Sequence, residues 1–180
     1  MRGSLSKRIT ARLLELDTYR RAGCVMAYVS FGGEFETGEF IANLFQQGKM
    51  LVLPRVVRGS RALQLYGVED LERQLEAGVW GIRQPDASLC RPVRASQVDF
   101  VLVPGVAFTE RCERLGYGGG YYDGFIRSLG LPQPALVAAA FSLQLVPELP
   151  MSETDQRVGR IVTEDSEYRL PPGFPNEPVG

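Results

Sequence analysis

The sequence predicts an α/β fold, namely a three-layer α/β/α domain with a mostly parallel central sheet. Short apolar runs alternate along the chain with longer amphipathic segments, which is the order of elements in βαβ units. The chain has 180 residues, of which 44% are hydrophobic and 23% are charged, as expected of one globular domain. We therefore expect a single domain over residues 1–170 and a loose tail, rich in proline and glycine, over residues 171–180.

The first third of the sequence predicts a helix followed by a strand–helix–strand unit. Residues 4–21 carry apolar side chains at helical spacing. An apolar strand over residues 24–29, a helix over residues 37–47 and a strand over residues 50–53 follow, and Pro54 is expected to stop the last strand. The connection between the two strands is long enough for a parallel βαβ crossover.

The middle of the sequence has a weaker periodicity. We expect a strand over residues 62–66 and a short helix over residues 69–77, in which Leu71 and Leu75 face inward. Residues 78–92 contain two prolines and no regular period, so we expect a surface loop there.

The last part of the sequence returns to alternating strands and helices. A buried strand over residues 99–104 is its clearest element, because the run is continuously apolar after its first residue and ends at a proline. A helix over residues 121–129 and strands over residues 135–141 and 160–163 complete the expected sheet.

Composition excludes several classes of function. The 20 basic and 21 acidic residues nearly cancel, so no global field favours nucleic acid or a membrane surface as a partner. The apolar runs are too short for a transmembrane helix, and no secretory leader is expected. Three widely spaced cysteines are typical of a reducing cytoplasm and form neither a disulfide framework nor a zinc motif.

The sequence contains no histidine, which restricts the catalytic chemistry. Ser–His triads, histidine-ligated metals and imidazole acid–base catalysis are excluded together. Any catalysis must therefore depend on carboxylates, arginines, tyrosines, backbone dipoles or a bound metal ion.

A glycine-rich segment, residues 116–120 (GYGGG), carries the candidate chemistry. It follows the strand and loop of residues 100–115 and leads directly into the predicted helix at residue 121. Glycines allow backbone N–H groups to approach a ligand closely, and at a helix N-terminus such groups suit a phosphate. The pattern is neither a Walker A loop nor GxGxxG. A tight loop that needs positive φ angles is the alternative, and the glycines alone do not decide between the two.

Asp123 lies just inside the predicted helix and favours the phosphate interpretation. A carboxylate next to a phosphate requires a cation between them, and Mg²⁺ held by one or two carboxylates is the usual solution. The alternative is that Asp123 only complements the helix dipole. Arg114 could clamp phosphates, or it could serve surface solubility. We expect Asp123 to lie at a solvent-exposed site rather than in a packed core.

These residues resemble a known family. The run VLVPGVAFTERCERLGYGGGYYDGF, residues 101–125, resembles the 5-formyltetrahydrofolate cyclo-ligase (5,10-methenyltetrahydrofolate synthetase) family nearly position by position. Further segments, taken in order, are similar to the family's other motifs: residues 28–37, 48–55, 81–85 and 150–163. The resemblance covers residues 9–164.

The resemblance implies an enzyme, a ligase that forms a C–N bond. Members use ATP and Mg²⁺ to close 5-formyltetrahydrofolate into 5,10-methenyltetrahydrofolate, by phosphorylation of the formyl oxygen and attack by N10, with release of ADP and phosphate. The implied partners are these small molecules, without nucleic acid or membrane, for a cytoplasmic monomer.

Two alternatives to this activity stay open. One is a non-catalytic or regulatory relative that binds nucleotide; the single observation in its favour is that the sequence begins about one basic helix later than is usual in the family. The other is a paralogue that acts on a different formyl or pterin substrate.

The resemblance also implies the roles of particular residues. The residues implied for ATP are Arg114, Leu115, Gly116, Tyr117, Gly118, Gly119, Gly120, Tyr121 and Tyr122. Those implied for the folate are Val29, Glu34, Tyr117, Gly118, Gly119, Gly120 and Tyr121. Asp123 and Asp155 are the implied Mg²⁺ ligands. Arg114 and Tyr121 are the implied catalytic residues, beside the transferring phosphate.

Overall fold

The computed structural model describes residues 2–57 and 59–170, apart from the side chain of Trp80. The α-helices of this part of the chain are α1 (Arg2–Glu15), α2 (Asp17–Arg21), α3 (Gly38–Gln46) and α4 (Tyr121–Ser128). The strands are β1 (Cys24–Met26), β2 (Met50–Val56), β3 (Leu63–Val68), β4 (Leu75–Ala77), β5 (Arg83–Pro85), β6 (Arg91–Val93), β7 (Phe100–Val103), β8 (Ala107–Phe108), β9 (Arg114–Leu115), β10 (Ala135–Ala139), β11 (Arg160–Val162) and β12 (Glu167–Arg169). Short 3₁₀ helices cover Val79–Gly81, Ala95–Gln97 and Ser142–Gln144.

Eight strands form the central sheet, in the order β12-β11-β10-β7-β1-β2-β3-β6. The five central strands, from β11 to β2, are parallel to one another, whereas β12, β3 and β6 pair in antiparallel orientation at the edges. Two separate hairpins, β4–β5 and β8–β9, lie outside this sheet. The predicted mostly parallel central sheet is confirmed.

Helices cover both faces of the sheet because its central strands are apolar on both sides. Val25 and Phe100 face one core, into which the first three helices bring side chains such as Ile9, Tyr19 and Phe40. Met26 and Val101, the next residues along the two strands, face a second core with Phe125 and Ile126 of α4. Adjacent residues of a strand point to opposite faces, so the two cores lie on either side of one sheet. The three-layer α/β/α prediction is thereby confirmed.

Most predicted elements of the first and last thirds are present, with shifted ends. The predicted helix over residues 4–21 is divided at Leu16, whose ψ of 130° is extended. Pro54 does not stop its strand, which runs on to Val56. The reason is that β1 ends at Met26, opposite Val52, so Pro54 pairs on one side with Leu65 of β3 and no longer needs an N–H for β1.

The predicted helix over residues 69–77 is wrong. Side chains accept the N–H groups at the start of this segment: Gln74 Oε1 accepts those of Glu69 and Asp70, and Asp70 Oδ1 accepts that of Glu72. The N–H of Gln74 donates to the carbonyl of Asp70, but this single turn does not continue as a helix. The end of the segment then forms β4 and pairs with β5, so the predicted surface loop over residues 78–92 contains a strand of this hairpin.

Three further sequence expectations concern the whole chain. The predicted tail over residues 171–180 lies outside the described residues, so the division into one domain and a tail stays a prediction. In residues 2–57 and 59–170, no helix is long and apolar enough to cross a membrane. The thiols of Cys24, Cys90 and Cys112 are buried and free.

Candidate active site

A pocket of about 640 Å³ opens at the carboxyl ends of the central strands. Its walls include Tyr28 and Val29 after β1, Leu53 and Pro54 in β2, and Pro104 after β7. Within this sheet, the chain continues from β1 to β2 on one side and from β7 to β10 on the opposite side. The strand order therefore reverses between β1 and β7. Open α/β sheets bind ligands at such a switch point, outside the carboxyl ends of the strands.

Every residue that the sequence analysis assigned to ATP, folate or Mg²⁺ lines this one pocket. They are Val29, Glu34, Arg114, Leu115, Gly116, Tyr117, Gly118, Gly119, Gly120, Tyr121, Tyr122, Asp123 and Asp155. Residues far apart in the sequence therefore meet in a cavity large enough for a small-molecule ligand.

The glycine-rich segment bends into the N-terminus of α4. Gly118 and Gly120 have φ angles of 85° and 67°, in the region that favours glycine. Gly120 is the N-cap residue of α4, and no side chain caps this end. The N–H groups of the first turn of a helix have no intrahelical acceptor, so this end of α4 presents donors and a positive dipole to the pocket.

Arg114 and Asp123 form a buried ion pair at the base of this segment. Arg114 Nη2 lies 2.8 Å from Asp123 Oδ1, with side chains that are 2% and 14% exposed. Arg114 Nη1 also donates to the carbonyl of Pro104 at 3.2 Å, and the N–H of Gln156 donates to Asp123 Oδ1 at 2.9 Å. The expectation that Asp123 is solvent-exposed is wrong, because the carboxylate is packed against this guanidinium.

Two polar atoms beside the ion pair lack a partner within the described part of the chain. Arg114 Nε and the Tyr122 hydroxyl are both buried there without a hydrogen bond. Burial raises the pKa of Tyr122 well above its ordinary value, so this hydroxyl stays protonated and is a donor. Buried polar groups are normally hydrogen-bonded, so the two atoms fit a polar ligand in the pocket.

Asp155 lies in the turn that precedes β11, and its neighbours in the chain, Thr154 and Gln156, are hydrogen-bonded to Arg127 and Asp123 of α4. Its Oδ2 accepts the N–H of Ser152 at 2.7 Å. Among the described residues, no three histidine, cysteine, aspartate or glutamate side chains cluster closely enough to hold a metal ion. Asp123 and Asp155 together supply two carboxylates, which fits Mg²⁺ because this ion is commonly bound by one or two carboxylates plus substrate phosphates and water.

Glu34 also lines the pocket and is buried. Its carboxylate accepts the Phe31 N–H at 3.0 Å and the Tyr117 hydroxyl at 2.9 Å. Burial raises the pKa of Glu34 above its ordinary value, although both hydrogen bonds act in the opposite direction. The rings of Phe31 and Tyr117 lie 5.2 Å apart and are tilted, so an aromatic pair borders this carboxylate.

Tyr121 covers the backbone of the glycine-rich segment. A Cβ atom added to Gly119 would lie 2.6 Å from Cδ2 and Cε2 of the Tyr121 ring. The absence of a side chain at Gly119 therefore lets the aromatic ring lie directly on the loop.

The pocket also contains residues that the sequence analysis did not assign to it. Arg61, two residues before β3, is one of them, and Tyr28 and Met151 are others. The position of Tyr28 just after β1 was a usable signal, because the carboxyl end of a central parallel strand is a preferred ligand site. Nothing in the sequence distinguishes Arg61 from the other arginines, since its place depends on the β2–β3 hairpin.

The chain matches the sequence model of the 5-formyltetrahydrofolate cyclo-ligase family over residues 2–164. A probable 5-formyltetrahydrofolate cyclo-ligase of Schizosaccharomyces pombe is 31% identical over 179 residues, which covers 92% of this chain and 87% of the relative. The 5-formyltetrahydrofolate cyclo-ligase of Mus musculus is 29% identical over 165 residues, which covers 88% of this chain and 81% of the mouse protein.

Solved structures agree with the sequence matches. The 5,10-methenyltetrahydrofolate synthetase of Aquifex aeolicus, determined by NMR, superposes with a TM-score of 0.81 at 31% identity over 98% of this chain and 86% of its own. A 5,10-methenyltetrahydrofolate synthetase from Mycoplasma pneumoniae has the same fold, with a TM-score of 0.71 at 21% identity over 91% of this chain and 87% of its own. The family match spans most of the chain, and the fold agrees with it, so this protein belongs to the 5-formyltetrahydrofolate cyclo-ligase family of ligases.

Proposed function

We propose that this chain catalyses the ATP- and Mg²⁺-dependent closure of 5-formyltetrahydrofolate to 5,10-methenyltetrahydrofolate, with release of ADP and phosphate. The observation that carries the proposal is that the glycine-rich segment, Glu34, Asp123 and Asp155 line one pocket. Family membership supports the same reaction. A pocket that holds both substrates supplies proximity and orientation, which are large terms in a reaction between two bound molecules.

The ATP phosphates are assigned to residues 114–122. The uncapped N-terminus of α4 and the glycine N–H groups supply donors for phosphate oxygens. The unpartnered Tyr122 hydroxyl and Arg114 Nε supply two further donors beside them. Arg114 is assigned a catalytic role beside the transferring phosphate, as a hydrogen-bond donor to the charge that develops in the transition state, because Asp123 compensates most of its positive charge.

Asp123 and Asp155 are assigned to Mg²⁺. The bound ion would neutralise phosphate charge and orient the group that is transferred. Arg114 holds the Asp123 carboxylate in place, since the two groups form a buried pair at 2.8 Å. The turn of residues 152–155 fixes the other carboxylate through the Ser152 N–H.

The pterin end of the folate is assigned to Glu34. A carboxylate can accept from adjacent ring N–H and amino donors in a charge-assisted pair. In this structure Tyr117 donates to the same carboxylate, and its side chain is largely exposed, so it can move aside when a ligand binds. Val29 and Tyr121 line the same pocket and are assigned to the folate as well.

The reaction needs an activated formyl oxygen, which these residues serve without a covalent nucleophile. The formyl oxygen attacks the terminal phosphorus of ATP, and the bond to ADP breaks. N10 then attacks the activated carbon and loses its proton, and the C–O bond breaks to release phosphate. Both steps depend on alignment and on stabilised negative charge, so the absence of histidine is no obstacle.

The test is to mix the protein with 5-formyltetrahydrofolate and MgATP and to follow the methenyl absorbance band. The band should grow only when ATP and Mg²⁺ are both present, with one ADP released per methenyl group. No band, with retained binding of a non-hydrolysable ATP analogue, would support the non-catalytic alternative. ADP release with a different formyl-pterin, but not with 5-formyltetrahydrofolate, would support a paralogue.

We also propose a cytoplasmic monomer whose partners are small molecules alone. The free, buried cysteines suit a reducing compartment. The net charge of −1 gives no field that would attract nucleic acid or an anionic membrane. Analytical ultracentrifugation and cell fractionation test the two parts of this proposal.

A further inference from the structure

The turn that joins β8 to β9 holds a buried carboxylate that forms an ion pair with Arg157. The Glu113 side chain in this turn is 7% exposed, and Arg157 Nη2 lies 2.8 Å from its Oε1. Thr109 Oγ1 donates to the other carboxylate oxygen at 2.7 Å. A buried carboxylate is costly unless it is paired and hydrogen-bonded, so both contacts fix Glu113.

The same turn is joined to the segment of residues 155–158 through the backbone. The N–H of Val158 donates to the carbonyl of Cys112 at 3.0 Å. Cys112 has a φ of 60°, which a residue with a side chain rarely adopts. Such a conformation persists only where surrounding contacts fix it, and the contacts of Glu113 and Val158 flank this residue.

The β8–β9 turn and the segment of residues 155–158 both contact the Arg114–Asp123 ion pair of the pocket. Arg114, next to Glu113 in the chain, pairs with Asp123 at 2.8 Å. The N–H of Gln156, next to Arg157, donates to the same Asp123 oxygen at 2.9 Å. Successive residues of an extended chain point to opposite sides, so one side of the turn faces Asp123 while the other faces Arg157.

We propose that Glu113 and Arg157 are positioning residues that hold Asp123 and Asp155 at the separation required by Mg²⁺. The inference rests on the proposed function, because it concerns the carboxylates assigned there to the ion. Neither Glu113 nor Arg157 is among the described residues that line the pocket, so they act through the segments that carry the two ligands.

The chemistry of the ion makes such positioning consequential. Mg²⁺ requires near-ideal octahedral geometry, with oxygen ligands at about 2.0–2.1 Å. A loosened segment of residues 155–158 would move Asp155 and remove a hydrogen bond from Asp123. Loss of a group that orients a metal ligand typically weakens metal binding by about 10–100-fold.

Two variants test the inference, with one matched control. Glu113→Gln removes the charge and keeps the shape of the side chain. Arg157→Gln removes the other partner of the pair. Because the Arg157 side chain is 29% exposed and can be solvated without its partner, Glu113→Gln is the milder change and should fold even if Arg157→Gln does not. Asp165→Asn is the control, because it breaks an ion pair of similar length, 2.7 Å, whose side chains are 55% and 59% exposed.

Two measurements apply to each variant. Calorimetric titration of Mg²⁺ into protein saturated with a non-hydrolysable ATP analogue gives the affinity of the ion. Amide hydrogen exchange followed by NMR gives the stability of the Gln156 and Val158 hydrogen bonds. We expect Mg²⁺ affinity to fall about 10–100-fold in both pair variants. Exchange at the two amides should rise about tenfold, with the central strands β7 and β10 protected as in the wild type.

Unchanged Mg²⁺ affinity in both variants would overturn the inference, as would exchange that rises equally in β7 and β10. The second result would mean that the pair only stabilises the fold. A failure of the proposed function would give a different result: the wild-type protein would bind Mg²⁺ and the nucleotide but form no methenyl product.

Discussion

The Nη2 atom of Arg114 lies 2.8 Å from Oδ1 of Asp123, so β9 is joined to the first turn of α4 across the glycine-rich segment. The second guanidinium nitrogen of Arg114 donates to Pro104, which ties both to the end of β7. Because the charges of this pair compensate each other, the loop offers little net positive charge to a triphosphate. Attraction must come mainly from backbone N–H groups and from a bound cation.

Asp123→Asn should reduce both activity and stability. Loss of the charge leaves Arg114 buried and uncompensated, which should lower the free energy of unfolding by about 3 kcal/mol. Turnover should fall by about 10²-fold or more, because a preorganised electrostatic group is removed. Urea unfolding and the methenyl absorbance assay measure the two effects.

Asp165→Asn separates the general effect of losing an ion pair from the effect at the pocket. It removes a carboxylate 2.7 Å from Arg8, but this pair is exposed. Stability should change by about 1 kcal/mol or less, and turnover should not change. If Asp123→Asn showed near-wild-type turnover at limiting Mg²⁺, the metal role of Asp123 would be wrong.

Glu34→Gln should make the protein more stable at neutral pH and no more stable at acidic pH. Burial raises the pKa of Glu34 in the folded state above the ordinary value of 4.5. The folded protein therefore binds more protons than the unfolded chain between these two values, and stability falls as the pH rises through the folded pKa. Thermal melts at pH values from about 4 to about 8 measure the change in stability.

The same variant should weaken folate binding and leave the affinity for an ATP analogue unchanged. Glu39→Gln, at an exposed position of α3, is the matched control and should melt close to the wild type at each pH. If Glu34→Gln lost folate affinity and ATP affinity equally, the assignment of Glu34 to the folate would be wrong.

How far the sequence predicts the site is clear from Gly120 and Asp70. The glycine-rich segment, the helix after it and the strand before it depend on local chemistry, and the structure has all of them at the expected places. The prediction of a helix over residues 69–77 was wrong because the side chains of Asp70 and Gln74 accept backbone N–H groups. The spacing of apolar residues does not reveal this competition. The Arg114–Asp123 pair could not be predicted either, since two residues nine apart meet only after the loop folds back.

Tyr122→Phe should separate a binding role from a structural one. The Tyr122 hydroxyl is buried without a partner in the described residues, so its removal should not lower the stability of the ligand-free protein. If ATP satisfies this hydroxyl, affinity for the analogue should fall by about tenfold, as for one lost hydrogen bond. Calorimetry and a thermal melt give both quantities.

Tyr19→Phe is the matched reference for that prediction. The Tyr19 hydroxyl donates to Gln47 Oε1 at 3.2 Å, so its loss should lower the melting temperature and leave nucleotide affinity intact. A Tyr122→Phe protein that melts at a lower temperature, and binds the analogue as the wild type does, would show that Tyr122 has a structural role alone.

Gly119→Ala tests whether the loop cradles phosphate. The added Cβ would lie 2.6 Å from the Tyr121 ring, so the ring must move from the loop. If the N–H groups of this segment bind phosphate, affinity for a non-hydrolysable ATP analogue should fall by far more than stability does. Gly48→Ala is the reference for strain alone, because Gly48 is not among the described residues that line the pocket, its φ is 67° and nothing lies within 4 Å of the added Cβ. It should lower stability by about 1 kcal/mol.

The displaced ring gives Gly119→Ala two routes to weaker binding, and a double-mutant cycle with Tyr121→Ala distinguishes them. If the methyl acts only through Tyr121, it should have little further effect once the ring is absent. If the methyl also keeps phosphate from the backbone, the loss of affinity should persist in the Tyr121→Ala background. Lower stability with unchanged affinity in both backgrounds would leave the glycines as turn-formers, since the backbone would then make no contact with phosphate.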